Sequence, residues 1–112
     1  MSKVVVVKVD GTVQDCNLES LQQIQSAVGG WIELIRVGKL GSGFVNEEGK
    51  LKGLPINVLA TLIWHKARPT TKGDFLVGDV VFCGDEDQKG NTQDIKNEFV
   101  SFIKEMRKKL IC

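Results

Sequence analysis

The chain carries one histidine and three cysteines, and both scarcities narrow what it can do. A zinc site needs several soft ligands at short spacing. His65 stands alone, and Cys16, Cys83 and Cys112 lie far apart, so the sequence predicts no metal and no cofactor. An odd cysteine count without a close pair suits a reducing compartment, where free cysteine behaves as a small hydrophobe. Charge of one sign is missing as well. Fifteen Lys and Arg against fourteen Asp and Glu leave a formal charge of +1, so no overall field draws the chain to nucleic acid or a membrane. Long apolar runs are absent: none exceeds the length of Val4 to Val7, far below the roughly 20 residues that span a bilayer. That run is β-branched and has no small-residue cleavage site, which argues against a secretory signal. The expected location is the cytoplasm of a host cell.

What is present is an ordinary globular composition of 112 residues, 42% hydrophobic and 26% charged. This is one domain, 1–112, with enough apolar residues for a core. Lys3 to Val9 is apolar at odd and even positions alike, as in a central strand buried on both faces. Asp10-Gly11 signals a hairpin, with Thr12 to Cys16 returning antiparallel. Asn17 reads as an N-cap of a helix whose stripe is Leu18, Leu21, Ile24 and Val28, ended by Gly29-Gly30. Trp31 to Val37 alternates as a strand, with Trp31, Glu33, Ile35 and Val37 on one face. Gly38 to Gly43 reads as a glycine-rich connection, and Phe44-Val45 resumes extended structure.

Gly53-Leu54-Pro55 opens a second helix, expected from Ile56 to about Ala67 and stopped by Arg68-Pro69. Thr70 to Gly73 reads as a polar loop. Asp74 to Cys83 reads as one strand interrupted at Gly78-Asp79, followed by an acidic loop. Thr92 is the expected cap of a last amphipathic helix, about 92–110, whose basic end carries Lys104, Arg107, Lys108 and Lys109. The resulting order is β-β-α-β-β-α-β-α. It predicts an α+β fold, a mostly antiparallel sheet of about five strands with three helices packed on it.

From Val28-Gly29-Gly30-Trp31-Ile32-Glu33 onward the sequence resembles a known family. The likeness continues at Asn46-Glu47-Glu48-Gly49-Lys50-Leu51, Gly53-Leu54-Pro55-Ile56-Asn57 and Ala60-Thr61, and closes at Val77-Gly78-Asp79-Val80-Val81. These blocks resemble the phage- and plasmid-borne domain of unknown function 3846 family, over about residues 3–84. Two departures stand out. Gly41-Ser42-Gly43 breaks up what is usually a longer β-branched run, and the C-terminal helix looks like an addition. The family has no settled activity, so the resemblance implies a habitat more than a reaction. Phage genes of this size often encode inhibitors of host defence, some of them sponges for cyclic-nucleotide or ADP-ribose-type signals.

Each candidate residue has a functional and a structural reading. Trp31 and Glu33 share a strand face, where an indole can stack on a base and a carboxylate can accept from a base edge or ribose hydroxyl. The alternative is an edge-of-core tryptophan beside a glutamate paired with lysine. Asn57, at a helix start offering free N–H groups, can orient an anion or tie down the preceding turn that begins at Asn46. His65, Lys66, Arg68, Thr70, Thr71 and Lys72 form a basic, hydroxyl-rich segment suited to phosphate, or simply a solvated helix end. Asp79, Asp85, Glu86 and Asp87 lack a calcium-loop pattern and read as a solvated turn. No nucleophile–base set accompanies His65.

The sequence therefore points to a non-enzymatic mobile-element protein. It is expected to sequester a small anionic, nucleotide-like ligand through Trp31, Glu33, Asn46, Asn57, His65, Arg68, Thr70, Thr71 and Lys72. The alternative is an inhibitor that binds a host defence protein directly. An enzyme acting on nucleotides is the least supported class. Membrane and nucleic-acid partners are not expected. A homo-oligomer is, because short chains gain pocket depth at subunit interfaces, and Leu110-Ile111-Cys112 is one place a second chain can pack.

Overall fold

The protein is described by a computed structural model covering residues 2–111. Five strands form one antiparallel sheet: β1 (Ser2–Val7), β2 (Val13–Leu18), β3 (Ile32–Val37), β4 (Gly41–Asn46) and β5 (Val80–Cys83). Three helices accompany them, α1 (Leu21–Val28), α2 (Val58–Ala67) and α3 (Asn97–Ile111), so the order β-β-α-β-β-α-β-α and the α+β class hold. Across the sheet the strands run β2-β1-β5-β4-β3. The last strand therefore inserts at the centre, between two hairpins.

The valine run behaves as its pattern demands. In β1, Val5 and Val7 join the core beneath α2 and α3, and Val4 and Val6 join the core beneath α1. β5 repeats this, with Val80 and Phe82 on one side and Val81 and Cys83 on the other, all fully buried. Both strands need two covered faces, which is why neither shows alternation. The Asp10-Gly11 turn forms as read: Gly11 has φ 90°, and Lys8 N–H donates to the Thr12 carbonyl at 2.8 Å.

Several boundaries move. Asn17 and Leu18 remain in β2, paired with Lys3 and Ser2, so α1 starts later and is capped by the Ser20 hydroxyl, which accepts from Gln23 N–H. The cap shifts because the β1–β2 ladder keeps residues 17 and 18 extended. At the other end Gly29 adopts the left-handed conformation expected of a C-cap, φ 83°. The stretch read as a connection, Gly41 to Gly43, is instead the first half of β4, fully paired with β3. Here glycine serves close packing: a Cβ on Gly41 would lie 2.4 Å from the Cys83 carbonyl oxygen, and one on Gly43 3.2 Å from Phe82.

α2 starts at Val58 rather than Ile56, because Ile56 makes an isolated bridge to Val77 and Asn57 is the cap. Thr70 and Thr71 lie in a short 3₁₀ turn, Pro69–Thr71. The strand expected from Asp74 shortens to Val80–Cys83. Thr92 pairs in a bridge with Glu86 instead of capping α3, which begins at Asn97. Cys112 lies outside the described residues. No helix among those described is long and apolar enough to cross a membrane.

Candidate functional site

The quoted sequence blocks meet in space, and their buried polar residues act as fasteners. Asn57 is wholly buried. Its Nδ2 donates to the Val7 carbonyl at 2.8 Å and the Gly78 carbonyl at 2.9 Å, and its Oδ1 accepts from Ala60 N–H at 3.0 Å. It thus ties β1, the 77–79 turn and the start of α2 together, with no link to the Asn46–Gly49 turn. Asn46 is also buried. Its Nδ2 donates to the Val28 carbonyl at 3.2 Å, and its Oδ1 accepts from Glu48 N–H at 2.9 Å. A Cβ on Gly30 would come within 3.0 Å of that Nδ2, so Gly29 and Gly30 close α1 and make room for Asn46. Gly78 N–H donates to the Pro55 carbonyl at 2.8 Å, and Asp79 accepts from Val9 N–H at 3.0 Å.

Beside these fasteners a cleft of about 300 Å³ opens along β3 and β4, on the face covered by α2. Apolar walls come from Ile35, Val45, Trp64 and Phe75, and polar groups from Glu33, Glu47, Lys50 and Asp74; Asn46 borders the cleft with its amide committed to the Val28 carbonyl and Glu48 N–H. The volume is at the small end for ligand pockets. Lys50 bridges its mouth, ion-paired with Asp74 and set 4.6 Å from the centre of the Phe75 ring. The Lys50 hydrogen bond, followed by the Phe75 backbone N–H, holds the Asp74 carboxyl below its ordinary value. Leu51 is 90% exposed and Phe75 43% exposed at this rim. Three carboxylates against one ammonium give the cleft itself a negative lining.

A second, shallower groove of about 570 Å³ is lined by Leu62, His65, Lys66, Pro69, Lys72 and Met106. His65 Nε2 lies 2.7 Å from the Asp74 carbonyl oxygen, so the basic groove and the acidic cleft share a wall.

The predicted residues thus separate into four groups: cleft, groove, buried scaffold and exposed surface outside both. Glu33 and Asn46 line the cleft; His65 and Lys72 line the groove. Thr71 is buried, its hydroxyl donating to the Arg68 carbonyl at 2.7 Å, while Arg68 and Thr70 are exposed outside both linings. Asn57 is sealed in the scaffold. Trp31 is 65% exposed just before β3 and does not line the cleft. Sequence reasoning missed Lys50, Asp74 and Phe75, whose only local signal was a charged residue or an aromatic in a turn. Among the described residues no group of three or more His, Cys, Asp or Glu is placed to hold a metal ion.

Fold and clefts define a small α+β protein with helices on both faces of an antiparallel sheet and an open pocket at one sheet edge. Residues 1–108 match the family described as Domain of unknown function (DUF3846), and the chain belongs to it. The match runs through most of α3, the helix that looked like an addition. No curated protein and no solved structure matches the chain.

Proposed function

We propose that this chain is a non-enzymatic binding module of a phage or other mobile element that captures a nucleotide-like signal of host defence. The observation that carries the reading is the shared wall between cleft and groove, made by the 2.7 Å contact of His65 with the Asp74 carbonyl. A nucleotide has two chemically unlike ends, and the two surfaces differ in the same sense. A base and its ribose fit the cleft, where Phe75 offers a ring face and Glu33 and Glu47 accept from N–H or O–H donors. Phosphate is repelled by those carboxylates and is drawn to His65, Lys66 and Lys72 in the groove. Binding of this kind requires no nucleophile and no metal.

The test is recovery of the ligand. The protein is purified from cells that make cyclic-nucleotide or ADP-ribose-type signals, denatured, and the released small molecules identified by mass spectrometry. An intact nucleotide is expected, and Phe75→Ala and Lys66→Glu/Lys72→Glu should each lower its recovery about tenfold or more, as loss of one stacking or charge-assisted contact predicts. Chemical conversion of the nucleotide would replace this reading with an enzymatic one. Absence of any nucleotide, with a host protein retained instead, would replace it with direct inhibition of that protein.

A further inference from the structure

We infer that β3 is a self-pairing edge, through which two copies of the chain join their sheets into one antiparallel sheet of ten strands. The argument starts from the difference between the two edges. β2 exposes Gln14, Asp15 and Asn17 and is braced by α3: Lys104 reaches Asp15 at 3.4 Å, and Arg107 donates to the Gly11 carbonyl at 3.2 Å. Exposed polar and charged side chains are a usual means of guarding an edge. β3, at the opposite edge, reads Ile-Glu-Leu-Ile-Arg-Val, without proline or lysine, and pairs with β4 one residue to one residue, without a bulge.

The backbone of β3 is set for a further strand. The Trp31 carbonyl accepts from Glu47 N–H at 2.8 Å, so Trp31, Glu33, Ile35 and Val37 turn their backbone groups toward β4. By alternation Ile32, Leu34 and Arg36 turn theirs outward. The Arg36 carbonyl already accepts the Trp64 indole N–H at 2.9 Å and keeps its second lone pair.

Charge and strand length then select the register in which a second copy fits. A two-fold axis normal to the sheet keeps each face continuous, so opposed residues must share a face. Registers centred on Glu33 or Arg36 oppose like charges, which destabilises a ladder. Centring on Ile35 runs Ile32 into the Gly38 turn. Centring on Leu34 opposes Leu34 to itself, Ile32 to Arg36, Glu33 to Ile35 and Trp31 to Val37, with outward backbone groups bonding outward groups. Every residue from 31 to 37 is then paired, and the exposed Trp31 is covered. The second copy's Ile35 lies beside Glu33, so it extends a wall of the cleft. The pairing stands on edge geometry and is independent of any ligand.

Analytical ultracentrifugation of the whole chain at micromolar concentration should give twice the 12.3 kDa chain mass. Leu34→Lys, which would oppose two ammonium groups on the axis, and Trp31→Lys, at an exposed position, should each raise the dimer Kd about tenfold or more. With Cys16 and Cys112 replaced by serine, Leu34→Cys should form an intermolecular disulfide under mild oxidation, and Gln14→Cys on the guarded edge should not. A wild-type monomer overturns the inference. So does a dimer indifferent to Trp31→Lys, or equal crosslinking from the two edges; neither readout requires the Leu34→Lys variant to fold.

Discussion

At residue 57 one amide supports three separate pieces of chain, and its two donors and one acceptor are all used inside the protein. Replacing it with alanine leaves the Val7 and Gly78 carbonyls and the Ala60 N–H without that partner in a site closed to water. Asn57→Ala should therefore cost about 3 kcal/mol, the sum expected for a lost cap and unsatisfied buried groups. Urea unfolding should show the midpoint falling with little change in slope. Asn57→Asp retains the cap acceptor and loses both donors, so it should be destabilised as well. A variant as stable as the parent would remove Asn57 from its fastening role. Cys83 gives a different signature. Burial, followed by the nearby charges of Asp85 and Glu86, pushes its thiol from 9.0 up to about 12. The unfolded thiol ionises first, so this contribution is complete below pH 9.0 and is lost as pH rises toward about 12. Above pH 9 stability should fall about 1 kcal/mol more steeply per pH unit in the parent than in Cys83→Ala, as read by urea unfolding. Identical slopes would show that Cys83 is not the group responsible.

Elements differ in how openly the sequence declares them. β1 is legible because a run of valines at consecutive positions has few explanations besides a strand covered on both faces. α1 is legible by its stripe and its Gly29 cap, but its start is not. Asn17 and Ser20 are both competent caps, and the choice is made by pairing of residues 17 and 18 with β1, a long-range contact that local sequence does not record. β4 is hidden by its own packing. Gly41 and Gly43 look like loop residues, yet they are glycine because Cys83, Phe82 and Phe99 press against that strand. The same distinction governs the candidate site. Glu33 could be found because strand alternation puts it beside a core stripe. Lys50, Asp74 and Phe75 come from two turns 24 residues apart and become a unit only when Lys50 pairs with Asp74. Asn46 and Asn57 stand in the quoted sequence blocks, and the structure turns their side-chain hydrogen bonds inward.

For the molecule as a whole, the open question at sequence level is whether α3 is an appendage or a part of the core, and packing decides it. Phe99 and Ile103 are fully buried in the larger core, with Phe99 packed 5.3 Å from Phe82 between ring centres. Val100, Phe102 and Met106 cover the same cluster. Just ahead of the helix, Ile95 N–H donates to the Lys3 carbonyl at 2.9 Å, fixing this segment to β1. Losing a buried phenylalanine typically costs about 3–5 kcal/mol and a buried isoleucine about 2–5. Together these rival the roughly 5–15 kcal/mol that holds an entire small domain folded. A chain ended at Lys96 would also bare the part of the β1 and β5 face that α3 covers and α2 does not, where Val5, Val7, Val80 and Phe82 have nothing polar to present to water. It should therefore lose its cooperative thermal transition and its dispersed amide spectrum, even though it retains the strands, α1 and α2. Circular dichroism and a proton–nitrogen correlation spectrum check this directly. A shortened chain that stayed folded would make α3 an accessory, and the valine faces of the sheet would then need another cover.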